Sequence, residues 1–229
     1  MIQSFILGAY WTGRKETSGE CADRVRAFLA EISEIDESFT TWYQRSGSRK
    51  DATSNRVDTR NRNSICEMME RGRHQRDIGG DAIESLGFRI GLWNGATKEE
   101  NTSSISILCG SFNEIALNSV TLALPSSLVA RSSVEKVQKL LSVSCSVWRP
   151  GWAGVMSKES MKLRDFSARK PFVDWMVFTP RTVGAVPPPA VATPVASGGT
   201  LIVTQPQPPC TDDEKVLARI RAIESLVTA

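Results

Sequence analysis

Apolar residues recur at helical spacing in three stretches of the chain, each behind a capping motif. The first motif, Thr17-Ser18-Gly19-Glu20, has the Ser/Thr-x-x-Glu form, in which a hydroxyl and a carboxylate accept hydrogen bonds from backbone N–H groups of the first helical turn. Equivalent motifs begin at Ser132 and Thr211. Apolar residues follow the first motif at i, i+3, i+4 and i+7: Val25, Phe28, Leu29 and Ile32. The pattern predicts three amphipathic helices, the last over residues 212–228, and a shorter fourth helix over residues 64–73.

Apolar runs of strand length lie between these helices. Residues 86–93 alternate with a period of two, as in a strand with one buried face, and Asn94-Gly95 directly after them favours a chain reversal. Six more runs have strand length: 2–11, 105–107, 120–124, 152–157, 172–178 and 200–204. Three of the runs follow one another without an intervening helix, which indicates antiparallel pairing. The predicted fold class is α+β, with a mostly antiparallel sheet of about five to seven strands and three to four amphipathic helices.

Two stretches lack the apolar content of a core. Residues 44–64 hold six basic and two acidic residues with few aliphatic ones, so we expect a polar loop that is mobile in part. Residues 180–210 contain eight of the eleven prolines and almost no charge, so we expect an extended connector before the last helix. The chain is therefore expected to form one domain over residues 1–229.

The residue types that metal, cofactor and nucleophilic sites require are scarce. His74 is the single histidine, the five cysteines include no C-x-x-C pair, and no glycine-rich phosphate loop is present. We expect no metal, no cofactor, no catalytic residues and a protein that is not an enzyme. No cationic segment precedes the apolar residues 2–11, and no apolar run approaches the roughly 18 residues of a membrane helix, so we expect a cytoplasmic protein without a membrane partner.

Aromatic and charged residues are the candidates for contact with a partner. Trp and Tyr anchor many protein interfaces, so Trp42, Trp93 and Trp148 are candidate anchors. The charged candidates are four acids that follow one another closely and two basic residues of the polar loop: Glu31, Glu34, Asp36, Glu37, Arg49 and Lys50. The run Arg14-Lys15-Glu16 is either a surface charge cluster or an internal Arg–Glu pair, and both alternatives stay open.

Short aromatic and charged motifs follow one another along nearly the whole chain. The opening string is Tyr10-Trp11-x-x-Arg14-Lys15-Glu16-Thr17, followed by Cys21-Ala22-x-Arg24 and Phe28-Leu29. The later strings are Phe39-x-x-Trp42-Tyr43, Ser48-Arg49-Lys50-x-Ala52, Leu86-Gly87-Phe88, Leu92-Trp93-Asn94-Gly95, Trp148-x-Pro150-x-Trp152-Ala153 and Trp175-Met176. This ordered set resembles the immunity protein 52 family of bacterial polymorphic toxin systems. The chain departs from the family at Thr12-Gly13, Thr17 and Asp174, where Gly-Pro, Ser and Gly are common.

The resemblance implies a cytoplasmic immunity protein that binds a cognate toxin. Such toxins are frequently restriction-endonuclease-like DNases delivered by type VI secretion. Inhibition would be stoichiometric, by occlusion of the nuclease cleft or by preventing an active assembly, and no direct contact with nucleic acid is expected. The resemblance also implies structural roles for the motif residues Trp11, Arg14, Glu16, Cys21, Asn94, Gly95, Trp152 and Trp175.

The charge of the chain leaves several hypotheses open. The substrate face of a nuclease is usually basic, whereas the net charge here is +3. Three explanations are compatible with this charge. Either the acids at positions 31–37 bind the nuclease, or apolar residues bind it, or the inhibitor binds away from the nuclease cleft. The basic excess of residues 131–170, nine basic against three acidic, supports an alternative function as a nucleic-acid-binding regulator that also uses the loop at 44–64. A cryptic enzyme such as a nuclease is the third hypothesis.

Overall fold

A computed structural model describes residues 4–45, 55–76, 80–131, 134–210 and 213–228. The chain divides into two compact units: a terminal unit, Met1–Tyr10 with Ala123–Ala229, and a central unit, Trp11–Leu122. The expectation of a single domain stays a prediction. No helix within the described ranges combines the length and the apolar character needed to cross a bilayer.

The described part of the central unit contains two α-helices and four strands. The helices are α1 (Ser18–Ser33) and α2 (Arg62–Arg71), which pack against each other. The strands are β2 (Tyr43–Gln44), β3 (Phe88–Trp93), β4 (Ser104–Cys109) and β5 (Asn118–Ala123), and they lie in that order in the sheet. The last residue of β5 belongs to the terminal unit. The ladders β2–β3 and β3–β4 are antiparallel.

Helix α1 forms where the sequence predicts it and for the expected reason. The Thr17 hydroxyl accepts a hydrogen bond from the Glu20 backbone N–H at 3.2 Å, and the Glu20 carboxylate accepts one from the Thr17 N–H at 2.8 Å. The capping box is therefore complete. The predicted apolar stripe is buried: Val25, Phe28, Leu29 and Ile32.

Among its described residues, the terminal unit contains five strands and four α-helices. The strands are β1 (Phe5–Trp11), whose last residue belongs to the central unit, β6 (Trp152–Ser157), β7 (Met176–Thr179), β8 (Val191–Pro194) and β9 (Thr200–Val203). They follow the order β1-β6-β7-β9-β8 with antiparallel ladders. The helices are α3 (Ser126–Arg131), α4 (Val134–Trp148), α5 (Lys158–Leu163) and α6 (Glu214–Thr228). The buried face of α6 shares a core cluster with Val177 of β7 and Ile202 of β9.

The α+β class is confirmed, but both element counts were predicted too low. The described residues contain nine strands rather than five to seven, and six α-helices rather than three to four. The additional helices α3 and α5 have six residues each and the additional strands β2 and β8 have two and four, too short to show a clear period.

Several boundaries also differ from the predictions. Helix α2 begins at Arg62 rather than at residue 64 because the Asn61 side chain accepts hydrogen bonds from the N–H groups at the helix start. The run 172–178 becomes a strand only from Met176. The connector at 180–210 holds the β8–β9 hairpin in addition to the expected strand near residue 200. Residues 46–54 of the polar loop and the first residues of the second and third capping motifs lie outside the described ranges.

Candidate functional site

The motif residues near the start of the chain form a buried ion network. The Glu16 side chain is only 6% exposed, and its carboxylate lies 2.6 Å from the Arg24 Nε atom and 3.2 Å from the Arg14 Nε atom. The Arg14 guanidinium also lies over the Trp11 ring, 5.1 Å from its centroid. Arg14 and Glu16 therefore form an internal Arg–Glu pair, while Lys15 between them is exposed, and a structural role for the pair stays a prediction.

Cys21 of the family motif is a buried thiol. It contacts Cys109 of β4, and both are free cysteines. The hydrogen bond to Cys21, together with burial, raises the pKa of the Cys109 thiol well above its ordinary value. A protonated, buried thiol is a poor nucleophile, so Cys109 acts as a packing residue, and Cys21 is fully buried beside it.

Asn94 and Gly95 organise the connection between β3 and β4. The Asn94 amide donates hydrogen bonds to the Ser38 and Asn101 carbonyls at 3.2 and 2.9 Å, and its oxygen accepts one from the Ser103 N–H at 3.0 Å. Gly95 has φ +75°, and a Cβ atom there would lie 2.5 Å from the ring of Tyr43. Both motif residues therefore fix a loop. The chain reverses after β3, as predicted, over a connection that extends to β4.

Two of the three candidate tryptophan anchors are buried. Trp148 is enclosed by the terminal unit, and the Trp42 indole N–H donates to the Phe39 carbonyl at 2.8 Å while its ring lies parallel to Phe39. Because they are buried, neither ring offers a surface that a partner could cover. Aromatic residue type alone does not distinguish a core position from an interface position. Trp93 is half-buried beside Tyr43, with ring centroids 6.2 Å apart.

The two tryptophans of the later motifs also belong to the core. The Trp152 ring stacks on Tyr10 at 4.7 Å, and its N–H donates to the Ala168 carbonyl. The Trp175 N–H donates to the Gln205 carbonyl at 3.1 Å, and its ring meets Phe5 edge-on. Their buried N–H groups are thus satisfied, which agrees with a structural role.

The four candidate acids lie at the C-terminal end of α1 and in the turn that follows. Asp36 is half-buried, and its carboxylate accepts the Ser38 N–H at 3.1 Å, so it stabilises the 3₁₀ turn Glu37–Phe39. The other three carboxylates are exposed and have no ion-pair partner among the residues that the structure describes. We call them the acidic surface: Glu31, Glu34 and Glu37.

The acidic surface opposes the dipole of its own helix. The C-terminal end of an α-helix carries partial negative charge, so acids there are unfavourable by about 0.3–1 kcal/mol each. Helix α1 ends with no basic residue in its last turn. The placement of Glu31 and Glu34 therefore does not serve the stability of the helix.

A groove lies beside the acidic surface in the central unit. Its volume is about 1060 Å³, and Glu34 shares its lining with Arg26, Arg56, Asp58 and Arg60. The lining combines both signs of charge with apolar side chains such as Leu29, Phe39 and Val57. Within the described ranges, no three His, Cys, Asp or Glu side chains are grouped so that they could hold a metal ion.

The basic candidates have different outcomes. Arg49 and Lys50 lie outside the described residues. In the stretch 131–170, Arg164 is used internally, since it donates to the Val173 carbonyl at 2.8 Å and pairs with Glu224. The other eight basic side chains of that stretch are exposed.

Two polar networks of the fold were not found from the sequence. The buried Asn118 amide contacts Ser111 and Thr12, which lie far apart along the chain. The buried Asp174 carboxylate accepts hydrogen bonds from the Ser157 N–H at 2.6 Å and the Ser160 hydroxyl at 3.0 Å. Burial raises the pKa of Asp174, while these two hydrogen bonds act in the opposite direction. No local pattern marks such pairs.

The family model described as immunity protein 52 matches residues 3–225. Among solved structures, the fold is similar to that of the Pseudomonas aeruginosa T6SS protein PA0821, with a TM-score of 0.56 and 10% sequence identity over 96% of this chain and 73% of that one. At this identity the likeness concerns the fold alone. No curated protein matches the sequence. Because the family model spans nearly the whole chain, this protein belongs to the immunity protein 52 family.

Proposed function

We propose that this protein neutralises a cognate bacterial toxin by stoichiometric binding in the cytoplasm, without catalysis of its own. We further propose that the toxin is a restriction-endonuclease-like DNase delivered by a type VI secretion system. Membership of the immunity protein 52 family supports the toxin partner. The T6SS assignment of the structurally similar Pseudomonas aeruginosa protein supports the delivery route.

The acidic surface is the observation that carries the proposed contact. Glu31, Glu34 and Glu37 are exposed and have no ion-pair partner among the described residues, and Glu31 and Glu34 sit at a helix end where negative charge is unfavourable. Residues that are locally unfavourable for stability are often retained because they serve function. A nuclease binds a polyanion through basic side chains, so three unpaired carboxylates match the charge of its substrate face.

The distribution of charge between the units removes the difficulty raised by the net charge of +3. The central unit holds 15 basic and 17 acidic side chains, a net charge of −2, whereas the terminal unit holds 13 and 8, a net charge of +5. An acidic contact surface on the central unit is thus compatible with a basic protein. We place the toxin contact on the central unit for this reason.

Co-expression tests the proposed neutralisation. The C-terminal domain of the neighbouring toxin gene is expressed in a bacterial host with and without this protein. We expect rescue of growth and co-purification of the two chains. Growth arrest despite ample soluble protein would contradict the proposal.

A salt titration tests the acidic surface separately. The affinity of the purified pair is measured between 0.05 and 0.5 M salt for the wild type and for the triple variant Glu31→Gln, Glu34→Gln and Glu37→Gln. We expect the wild-type affinity to fall by about tenfold or more as salt screens the contact, and the triple variant to lose most of that dependence. The matched control neutralises three exposed acids elsewhere: Glu67, Glu99 and Glu159. Wild-type affinity that does not change with salt would exclude the acidic contact.

A second candidate function is supported by one observation. Eight exposed basic side chains within residues 131–170 could bind nucleic acid, as a regulator of the nucleic-acid-binding class would. Retention of the pure protein on DNA at 0.15 M salt, lost when the exposed lysines are replaced by Gln, would favour this function over toxin binding.

A further inference from the structure

The loop between β4 and β5 exposes two large apolar side chains. Phe112 is 40% exposed and Ile115 is 80% exposed. Within the described part of the central unit, these are the exposed large apolar residues. Apolar side chains that stay in water do not stabilise the fold. Burying each of them would contribute about 1.5–3 kcal/mol of favourable free energy.

The base of this loop is fixed by a buried amide. The Asn118 oxygen accepts a hydrogen bond from the Ser111 N–H at 2.9 Å, and its nitrogen donates to the Ser111 and Thr12 carbonyls at 2.9 and 3.0 Å. The Ser111 carbonyl also accepts the Arg14 N–H at 2.7 Å. The loop is thus tied on both sides to the segment that carries the family motif.

The tip of the loop is held as firmly as its base. The Ser85 carbonyl accepts hydrogen bonds from the N–H groups of both Phe112 and Asn113, each at 3.1 Å. The Asn113 side chain in turn accepts the N–H groups of Ile115 at 2.8 Å and Ala116 at 3.1 Å. The exposure of Phe112 and Ile115 is therefore a property of an ordered turn, whose conformational entropy has been lost on folding.

One charge of each sign flanks the apolar pair. The Lys15 ammonium lies 5.0 Å from the centroid of the Phe112 ring, and Glu114 is exposed between the two apolar residues. An apolar centre with a polar rim is the arrangement of a protein contact rather than of a nucleic-acid contact, which needs an excess of cations.

We propose that Phe112 and Ile115 are the apolar anchor that the cognate toxin covers. This inference rests on the proposed function, since the toxin domain is the occupant to which it commits. The toxin would offer an apolar pocket whose rim carries a carboxylate near Lys15 and a donor near Glu114. Burial of two preorganised side chains in such a pocket gives an anchor whose strength does not depend on salt.

The test compares apolar truncation inside and outside the loop. Affinity for the toxin domain is measured calorimetrically at 0.3 M salt for the double variant Phe112→Ala with Ile115→Ala, and for Leu163→Ala, an exposed apolar residue (71%) of the terminal unit. We expect the double variant to bind about 30-fold more weakly or worse, and Leu163→Ala to bind like the wild type. The Tm of each variant, read by circular dichroism, is expected to stay within about 2 °C of the wild type, since the side chains are exposed.

A second variant tests the same inference if the double variant does not fold stably. Ile115→Asp places a charge in the pocket and is expected to weaken binding at least as strongly, with the salt dependence of the acidic surface unchanged. Equal affinity of the wild type, the double variant and Ile115→Asp would overturn the loop inference alone. Failure of the wild type to bind the toxin would overturn the proposed function and, with it, the inference.

Discussion

Glu16 and the acidic surface are carboxylates of the same unit in opposite surroundings. Glu16 is buried between Arg14 and Arg24, with its oxygens 2.6 and 3.2 Å from their Nε atoms. Glu31, Glu34 and Glu37 face solvent without an ion-pair partner among the described residues. The difference separates a carboxylate that is held inside the fold from carboxylates that are accessible to a partner.

Asp174 of the terminal unit adds a third kind of carboxylate. It is buried like Glu16, but its hydrogen bonds come from the neutral groups of Ser157 and Ser160. Burial raises its pKa, whereas the pKa of the exposed Glu20 carboxylate is lowered by hydrogen bonds from the Thr17 backbone and side chain. Four predictions test these distinctions.

The largest effect is expected for Glu16→Ala. Its removal leaves two guanidinium groups, each partly buried, without their counter-charge, which we expect to cost about 2–4 kcal/mol of unfolding free energy. Urea denaturation monitored by circular dichroism measures the change. The matched control is Glu31→Ala, an exposed acid of the same unit, with an expected change under about 0.5 kcal/mol. Equal losses in the two variants would contradict the division between buried and exposed acids.

Asp174→Ala is expected to follow in size. The substitution leaves the buried Ser157 N–H and Ser160 hydroxyl without their acceptor, at a cost of about 2 kcal/mol. In Asp174→Asn, the side-chain oxygen can still accept a hydrogen bond from the Ser157 N–H, and the amide N–H can donate one to the Ser160 hydroxyl. We therefore expect this variant to retain most of the stability in the same urea experiment. A loss for Asn as large as the loss for Ala would show that the negative charge, rather than the hydrogen bonds, holds this site together.

The pH dependence of two variants is expected to run in opposite directions. Folded Asp174 binds its proton more tightly than the unfolded residue does, so the stability of the wild type relative to Asp174→Asn should rise as pH falls toward 3.8. Folded Glu20 binds its proton less tightly, so the stability of the wild type relative to Glu20→Gln should fall as pH drops below 4.5. Unfolding free energies measured from pH 7 to pH 3 give both slopes. Slopes of the same sign would refute the assignment of opposite causes.

The smallest effect on stability is expected for the triple variant of the acidic surface. Neutral glutamines at positions 31 and 34 remove charge from the negative end of α1, and the change at position 37 neutralises an exposed acid of the following turn, so the unfolding free energy should change by less than about 0.5 kcal/mol per site. The same urea experiment measures it. A marked loss of stability would mean that these acids stabilise the fold, and it would contradict the contrast between the buried Glu16 and the exposed acidic surface.

The sequence predicted the parts of the fold that local patterns determine. Helix α1 could be located because its capping box and its apolar stripe agree, and β3 because its alternation is regular. Short elements such as α3 and β8 carry too few residues for a period to be visible. Strand β8 forms by pairing with β9 in a hairpin, which the four residues of β8 alone do not reveal.

The candidate site was only partly predictable, for a related reason. The acids at 31, 34 and 37 are exposed, as a polar pattern suggests, whereas Trp42 and Trp148 are buried because residue type alone does not determine burial. The apolar anchor at Phe112 and Ile115 depends on hydrogen bonds from Ser85 and Asn113. An apolar residue in an irregular segment has no sequence signal that distinguishes a core position from an exposed one.

The measurement that tests the central claim most directly is a titration of the toxin's activity. The purified toxin domain is held at a concentration well above the expected dissociation constant, and its DNA cleavage is followed as this protein is added. Neutralisation by binding predicts that activity falls in proportion to the added protein and reaches zero at a fixed whole-number molar ratio. Full toxin activity in the presence of excess folded protein would contradict the account.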